Sequence, residues 1–404
     1  MVTYPKDWKR CLLKKLGNFT SGDGFPLQYQ GDRSGTYPFY KVSDFNNVGN
    51  ERVMSFAKNY ISEVVAEKLH CHIIPSNSIV FAKIGAAIYL ERKRLNVAAC
   101  CVDNNMMAFT ANENVDAHYL CYAFQKLNFG DFVRVTALPS LSPKIIGCIK
   151  IHLPQDIAEQ KAIAATISSF DDHIDNLNTL IEKNKAIRDG ALADLMSGRT
   201  RLAGFSGKWK RTTLGEVGRF ISGNGFPVSY QGHTSGKYPF YKVSDFNKSG
   251  NEYRLITANN YVSEEVASKL NCNIIRSDSI VFAKIGAAIF LERKRINDSD
   301  CCIDNNMMAF NVLGENCPRY ICCLLQKMNL SDYSCITALP SLSGKTLGKV
   351  AIQLPGGEEQ KAIADVFFSM DTEIQSLEAE RDKMQAIREG AMDDLLTGRV
   401  RLPI

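Results

Sequence analysis

The sequence contains two copies of one long module, and this duplication constrains the fold more than any other feature. Aligned without gaps, residues 8–153 and 209–354 are identical at 85 of 146 positions. The longest identical blocks are YPFYKVSDFN (37–46 and 238–247) and SIVFAKIGAAI (78–88 and 279–289). An offset of 201 residues is far too long for a solenoid repeat, so each copy is a whole domain with its own helix. The 404 residues therefore form two similar halves.

Composition excludes several classes of protein. Hydrophobic residues make up 45% of the chain, which is too many for a disordered protein. No apolar run reaches the ~18–20 residues that span a bilayer, and the opening MVTYPKDWKRCLLKK lacks the apolar core of an export signal. We therefore expect a cytoplasmic protein that does not bind membranes and whose 13 cysteines stay reduced. The formal charge of +5 is compatible with nucleic-acid binding but does not establish it.

The first part of each module, residues 1–154 and 204–355, combines short β-rich runs with turn signals. IVFAKIGAAIYL (79–90) is typical of strands interrupted at Gly85, and SGDGF, QGDRSG and NNVGN are typical turns. A helix is expected over residues 118–127. The pattern fits an α+β or a mostly β domain.

The second part, residues 155–203 and 356–404, is predicted to be one long helix in each copy. Apolar residues alternate at spacings of four and three, a 3.5-residue period that is typical of helices paired along a narrow seam. Asp156 is a candidate N-cap with Glu159 placed for a capping box, and Gly198 and Gly398 are candidate C-caps. The first helix is expected over residues 158–196, a length of roughly 55–60 Å. The predicted seam comprises Ile163, Ile167, Phe170, Ile174, Leu177, Ile181, Ile363, Phe367, Met370, Ile374, Leu377 and Met384.

Each helix could pack on its own domain or pair with the other helix. The matching apolar phases and the narrow stripes favour pairing. An antiparallel pair is favoured over a parallel one because only a short segment after Gly198 leads into the second module.

Two groups of residues resemble catalytic or metal-binding motifs, but differences between the two copies disfavour both. Glu292-Arg293-Lys294 after Asp278 resembles an acid-acid-x-lysine nuclease site, but Asn77 replaces the aspartate in the first copy. A zinc site at His70-Cys71-His72 with Cys100-Cys101 is disfavoured because asparagines replace both histidines in the second copy and no CxxC pair exists.

Cofactor-binding motifs are also lacking. The sequence has no GxxxxGK[ST] phosphate loop, no GxGxxG motif and no glycine loop suited to S-adenosylmethionine. We therefore expect no cofactor to be bound by this chain and no catalysis by it.

Polar residues that recur in both copies are the candidate nucleic-acid contacts. Lys, Arg, Ser and Thr on loops beside aromatic residues are what phosphate anchoring and base reading require. The alternative is that these are ordinary solvated surface residues. The candidates are Lys41, Ser43, Lys83, Arg92, Lys93, Arg94, Thr136 and Ser140 in the first copy, and Lys242, Ser244, Lys284, Arg293, Lys294, Arg295, Thr337 and Ser341 in the second.

The module order resembles the specificity subunits of Type I restriction–modification enzymes over essentially the whole chain. LPQDIAEQKAIA (153–164) and LPGGEEQKAIA (354–364) are similar to the family's helix start. GALADLMSGRTRL (190–202) and GAMDDLLTGRVRL (390–402) are similar to its helix end, and WKxxxL (8–13 and 209–214) to the opening of a target recognition domain.

The resemblance implies an α+β fold with two target recognition domains separated by two long antiparallel helices, related by a pseudo-two-fold axis. It implies that each domain reads half of a bipartite site in double-stranded DNA and that two methyltransferase subunits dock on the helices. S-adenosylmethionine would be bound by those subunits, and ATP and magnesium by motor-nuclease subunits. The chain itself would be noncatalytic.

The near-identity of the domains leads to a further hypothesis about the site. Two near-copies are expected to read the same or nearly the same half-site in inverted orientation. Helices of roughly 55–60 Å exceed one DNA turn of ~35 Å, so several unread base pairs should separate the half-sites. The alternatives are a subunit of a methylation-only or orphan system, or an adaptor whose modules bind protein.

Overall fold

A computed structural model describes residues 4–133, 138–335 and 339–403. It divides the chain into two compact units, residues 1–178 with 379–404 and residues 179–378. Each unit therefore contains one globular domain and parts of both long helices. The two domains repeat the same elements, so the first is described in full.

The first domain is an α+β domain, with ten short strands and four short α-helices among its described residues. The helix expected over residues 118–127 is present at Ala117–Gln125, so it ends two residues earlier than predicted. The strands are β1 Lys9–Leu12, β2 Gly17–Ser21, β3 Tyr37–Tyr40, β4 Val53–Met54, β5 Tyr60–Ile61, β6 Ile79–Ala82, β7 Lys93–Asn96, β8 Cys101–Val102, β9 Met106–Ala111 and β10 Lys150–Leu153, and the α-helices are α1 Leu13–Leu16, α2 Glu63–Lys68, α3 Ala117–Gln125 and α4 Pro143–Ile146. Short 3₁₀ helices lie at Leu27–Tyr29, Val42–Asn46, Ala86–Leu90 and Phe129–Phe132.

The second domain follows the long helix α5 (Ile157–Leu195) and precedes α10 (Gly357–Thr397). Its strands are β11 Lys210–Thr213, β12 Gly218–Ser222, β13 Tyr238–Tyr241, β14 Arg254–Leu255, β15 Tyr261–Val262, β16 Ile280–Ala283, β17 Lys294–Asn297, β18 Cys302–Ile303, β19 Met307–Val312 and β20 Ala351–Leu354, its α-helices are α6 Leu214–Val217, α7 Glu264–Lys269, α8 Pro318–Lys327 and α9 Gly344–Leu347, and its 3₁₀ helices are Val228–Tyr230, Val243–Asn247, Ala287–Leu291 and Leu330–Tyr333.

Three sheets build each domain. In the first domain they are a five-stranded sheet in the order β2-β9-β6-β7-β4, a three-stranded sheet in the order β5-β3-β8, and the antiparallel pair β1-β10. Among the strand pairs that the structure describes in this domain, β4-β7 and β3-β8 are parallel and the others are antiparallel. The pair β1-β10 brings the two ends of the domain together, with Lys9 opposite Leu153. The second domain has the same three sheets in the same order.

The five-stranded sheet is buried on both faces, which explains its apolar central strand. Ile79 and Phe81 face a core shared with α3 and the long helices, whereas Val80 faces a second core beneath the three-stranded sheet. Since both faces are covered, the strand is a continuous apolar run without alternation.

The long helices pair antiparallel in each unit. In the first unit Arg388 Nε donates to Asp171 Oδ1 at 2.7 Å, and Arg401 binds Glu159. In the second unit Arg188 Nε donates to Asp371 Oδ1 at 2.9 Å. Low-numbered residues of one helix thus meet high-numbered residues of the other.

The predicted seam residues lie on the inner faces of α5 and α10. Ile163 and Ile167 join Met392, Leu395 and Leu396 in the core of the first domain, so the seam continues into that core. Ile163, Ile167, Ile174, Leu177, Ile181, Ile363, Phe367, Ile374 and Leu377 are buried, and Phe170, Met370 and Met384 are half-buried.

The helix ends agree with the predicted caps at three of four positions. Gly198 and Gly398 have φ of +71° and +70°, the left-handed conformation of a C-terminal glycine. Asp156 accepts a hydrogen bond from the Ala158 N–H at 2.8 Å. The predicted capping box is wrong, because the Glu159 carboxylate is buried and paired with Arg401 (Nη2–Oε2, 2.9 Å).

No helix within the described ranges is long and apolar enough to cross a membrane. All 13 cysteines are unpaired thiols.

Candidate nucleic-acid interface

Loops from four parts of the chain meet at one end of the five-stranded sheet, here called the loop edge (residues 41–46, 83–92, 103–105 and 139–141). The backbone N–H of Lys83 donates to the Asn105 carbonyl at 2.7 Å, and the Leu141 N–H donates to the Lys83 carbonyl at 2.9 Å. The Asp103 N–H donates to the Tyr40 carbonyl at 2.9 Å. These bonds fix the ends of β3, β6 and β9 together.

The second domain builds its loop edge (242–247, 284–293, 304–306 and 340–342) with the same bonds. The backbone N–H of Lys284 donates to the Asn306 carbonyl at 2.7 Å, and the Leu342 N–H donates to the Lys284 carbonyl at 2.9 Å. The two edges therefore present the same side chains on matching backbones, except that Tyr89 is replaced by Phe290.

Lys41 and Ser43 lie together at the start of the 3₁₀ helix Val42–Asn46, of which Lys41 is the N-cap residue. The Lys41 ammonium donates to Gln30 Oε1 at 3.0 Å, and Lys242 repeats this bond with Gln231 at 3.1 Å. Ser43 and its counterpart Ser244 are exposed. These positions provide cations and hydroxyl groups at the surface.

Asp103 lies beneath Lys41. Burial raises the pKa of Asp103, and its hydrogen bonds from Asn105 and the charge of Lys41 oppose the rise. The pKa of Asp304 is raised for the same reason. A buried carboxylate under each loop edge thus holds Asn105 or Asn306 in place.

Lys83 and Arg92 lie at the same end of the sheet because β6 and β7 are antiparallel, with Phe81 opposite Lys93. Arg92 Nη1 donates to Asn46 Oδ1 at 2.6 Å, and Arg293 donates to Asn247 at 2.5 Å. Lys284 has the position of Lys83 in the second domain. The structure therefore brings Lys41, Ser43, Lys83 and Arg92 to one edge.

Lys93 and Lys294 are buried and do not reach the surface of the loop edge, so that part of the prediction is wrong. They are 3% and 1% exposed, and each ammonium is ion-paired with the glutamate two residues earlier. Burial lowers the pKa of both lysines, opposed by the pairing with Glu91 and Glu292. Successive residues of a strand point to opposite faces, so Lys93 turns inward between Arg92 and Arg94.

Arg94 and Arg295 are half-buried beside the loop edge. Arg94 donates to the Phe45 carbonyl at 2.7 Å and lies over the Phe45 ring, whereas Arg295 donates to the Lys294 carbonyl at 2.9 Å. Burial lowers the pKa of both guanidinium groups.

The remaining candidates lie on the Leu-Pro turn. Ser140 and Ser341 pair with Ile84 and Ile285 as isolated β-bridges, which places them on the loop edges. Thr136 and Thr337 fall outside the residues that the structure describes.

The nuclease-like motif has a structural role. Glu292 accepts hydrogen bonds from the backbone N–H groups of Leu330 and Ser331 at 3.0 and 2.8 Å, and also binds Lys294. Asp278 is at the other end of the antiparallel pair β16-β17, with φ of +59° and an ion pair to Arg254. The two carboxylates therefore cannot share a metal ion.

Sequence reasoning missed two features of the loop edges. Asn46 and Asn247 hold the arginines, and their only sequence signal was the final position of the repeated YPFYKVSDFN block. Exposed apolar side chains also recur there, with Tyr89 and Phe290 55% and 59% exposed. Such residues suit contacts with bases or with protein.

Comparison with known proteins identifies the family. The family model described as the Type I restriction modification DNA specificity domain matches residues 5–185 and again 206–385. The Type I restriction enzyme MjaVIII specificity subunit of Methanocaldococcus jannaschii is 26% identical over 98% of this chain and 94% of its own length.

Two solved structures have the same fold. The Type I restriction–modification S subunit from M. genitalium matches with a TM-score of 0.64 and 17% identity, over 98% of this chain and 97% of that one. A chain from a study of complex assembly and conformational transition in the Type I system matches with a TM-score of 0.58 and 15% identity, over 98% and 100% of the two chains.

The chain belongs to the Type I restriction–modification specificity family, with two target recognition domains. These are the domains that carry the two loop edges.

Proposed function

We propose that this chain is the DNA-reading subunit of a Type I restriction–modification complex. Each target recognition domain places its loop edge against one half of a bipartite site in double-stranded DNA. The observation that carries the proposal is the repeated loop edge, where Lys41, Lys83 and Arg92 and their counterparts lie on matching backbones. Cations anchor phosphates, and a positioned arginine reads a base edge.

The same observation supports nearly identical half-sites. Residues that form the loop edges are almost unchanged between the domains, and their hydrogen bonds match within 0.1 Å at Lys41, Lys83 and Arg92. Antiparallel helices lead to the further prediction that the half-sites are inverted. Differences of a base or two would arise from divergent loop residues such as Asn47, which is Lys248 in the second domain.

The long helices are proposed to dock two methyltransferase subunits. Each helix carries an exposed isoleucine and, three residues later, an exposed glycine. These pairs are Ile187 with Gly190 and Ile387 with Gly390. A Cβ added at either glycine would meet nothing within 4 Å, so the chain's own packing does not require glycine there. A glycine in a helix costs about 1 kcal/mol relative to alanine, and close approach of a partner would explain its presence.

Catalysis is assigned to the partners. S-adenosylmethionine would bind the methyltransferase subunits, and motor-nuclease subunits joined through the complex would use ATP and magnesium. This chain would contribute the choice of site.

Methylome sequencing of a host that expresses this chain with its methyltransferase subunit tests the proposal. We expect one methylated bipartite motif, with two similar half-sites in inverted orientation and several unread base pairs between them. An assembled complex that methylates no defined motif would overturn the DNA-reading role. Two unrelated half-sites would overturn only the near-palindromic part.

A further inference from the structure

The Glu91-Arg92-Lys93 turn at the first loop edge is anchored by a buried ion pair and several hydrogen bonds. Lys93 is buried, is paired with Glu91, donates to the Leu127 carbonyl at 2.7 Å and lies 4.5 Å from the centre of the Phe129 ring. Glu91 in turn accepts the N–H groups of Phe129 and Gly130 at 3.0 and 2.9 Å.

The second domain repeats this anchor with different surrounding residues. Lys294 binds Glu292 and the Met328 carbonyl, the latter at 2.8 Å, and Glu292 accepts the N–H groups of Leu330 and Ser331. Phe129 and Gly130 have become Leu330 and Ser331, yet the contacts are kept. The network depends on the glutamate and the lysine, and not on its neighbours' side chains.

The turn has an unusual backbone that such an anchor can hold. Glu91 and Glu292 have φ of +52° and +51°, the left-handed region that non-glycine residues rarely occupy. Strain of this kind persists where surrounding contacts determine the conformation, and it concentrates at functional sites. The residue between the two anchoring side chains is Arg92 in one domain and Arg293 in the other.

Arg92 is therefore fixed at its backbone, and Asn46 orients its side chain from the neighbouring loop. An arginine has five N–H donors, and the bond to Asn46 is the one that the structure gives for Arg92 among the described residues. The other donors of the planar fork remain for a ligand with two adjacent acceptors. Arg94 differs, because its guanidinium is already bound to the Phe45 carbonyl and its counterpart Arg295 has a different partner.

We propose that Arg92 and Arg293 are specificity-determining residues, each reading one guanine through its O6 and N7 acceptors in the major groove. Asn46 and Asn247 are the positioning residues, and the buried glutamate–lysine pairs hold the turns. This inference rests on the proposed function, since it requires the loop edge to face DNA. A phosphate contact needs only a cation, whereas a fork fixed at both backbone and side chain suits bidentate base recognition.

The test uses the complex of the full chain with its methyltransferase subunits, on the duplex motif found by methylome sequencing. Arg92→Lys keeps the charge and removes the fork. We expect it to weaken binding to the motif by roughly 5-fold to 150-fold, with the loss confined to one guanine of one half-site. A duplex with 7-deazaguanine at that base, which lacks N7, should weaken the wild-type complex more than the variant, since the lysine ammonium lacks the planar fork.

Arg293→Lys should give the same loss at the corresponding guanine of the other half-site. Arg10→Lys, at an exposed arginine on β1, is the matched control and should change neither affinity nor base preference. The salt dependence of binding should be unchanged in all three variants, because the cation is kept.

Full affinity and unchanged base preference in Arg92→Lys and Arg293→Lys would overturn the inference while leaving the DNA-reading role intact. A wild-type complex that binds no sequence in preference to others would instead overturn the proposed function itself.

Discussion

A charged side chain inside a core is costly, and each recognition domain buries a lysine in the same place. Removing a carboxylate or ammonium group from water costs several kcal/mol, which an ion pair recovers only with good geometry. The lowered pKa of Lys93 means that burial outweighs the pairing with Glu91. The pair therefore fixes the position of the turn more than it stabilises the domain.

Removing one member of the Glu91–Lys93 ion pair should destabilise the domain more than removing both members. We expect Lys93→Met to reduce the free energy of unfolding by about 2 kcal/mol, less than for a fully buried pair because Glu91 is partly exposed. The double variant Lys93→Met with Glu91→Gln should recover part of this loss. Urea unfolding measures both variants, with Lys294→Met as the matched change in the second domain. Equal stability of Lys93→Met and wild type would contradict this account.

The buried carboxylates beneath the loop edges predict a pH dependence. The pKa of Asp103 is raised above its ordinary value of 3.8, so the folded state holds the proton more tightly than the unfolded chain does. The contribution of Asp103 to the free energy of unfolding is fully present below pH 3.8, and it is lost as the pH rises through the raised pKa of Asp103.

Asp103→Asn should therefore be more stable than wild type at neutral pH, with the difference shrinking as pH falls towards 4. Thermal unfolding of both proteins between pH 4 and 8 provides the measurement, and Asp304→Asn repeats it in the second domain. A difference that does not change with pH would rule out the titration of Asp103 as its cause.

At the residue scale the sequence grouped residues that the structure brings to one edge, but it did not give the direction of each side chain. Arg92, Lys93 and Arg94 were treated as one basic cluster, although alternation along a strand cannot place three consecutive side chains on one face. Which of them turns inward depends on Glu91 and on the Leu127 carbonyl, which lies 34 residues away. A contact at that separation has no local signal in the sequence.

At the element scale the long helices were the most predictable part of the chain. The first was expected over 158–196 and occupies Ile157–Leu195, because a 3.5-residue apolar period extends over many turns. Its capping box failed because Glu159 pairs with Arg401, which is 242 residues away. Local rules thus gave the length and the ends of the helix, and tertiary contacts decided what its first turn binds.

The exposed glycines of these helices provide a prediction that separates folding from docking. Gly190→Ala should raise the free energy of unfolding of the isolated chain by about 0.5–1 kcal/mol, since the new methyl group meets no atom. If the methyltransferase subunit packs against this position, the same change should weaken assembly of the complex. Chemical unfolding and size-exclusion chromatography with the partner measure the two effects.

Gly390→Ala makes the same change on the other helix. A variant that is more stable and assembles normally would exclude close partner contact at that glycine, and a less stable variant would contradict the helix argument.

At the scale of the whole molecule, sequence order and compact units do not coincide. The last residues of the chain, 379–404, belong to the unit of the first domain, and residues 179–195 belong to the unit of the second. Matching ion pairs close each unit, Arg401 with Glu159 and Arg201 with Glu359. The short linker after Gly198 predicted antiparallel helices, but it could not show that each helix end enters the core of the other copy's domain.

This division predicts an unusual effect of shortening the chain. Removal of residues 390–404 takes Met392, Leu395 and Leu396 from the core of the first domain, where each is less than 9% exposed. Loss of a buried leucine or methionine costs about 2–5 kcal/mol, so three are comparable with the 5–15 kcal/mol of stability that most domains have. The cut should therefore destabilise the first domain, which is far away in sequence, more than the adjacent second domain.

Hydrogen exchange measures this effect of the truncation. Exchange should become faster in α3 and at residues 157–178, with little change in α8. The control is Arg201→Ala, which leaves Glu359 unpaired and should shift exchange in the second unit instead. Equal changes in both units after the truncation would show that the last helical turns do not belong to the core of the first domain.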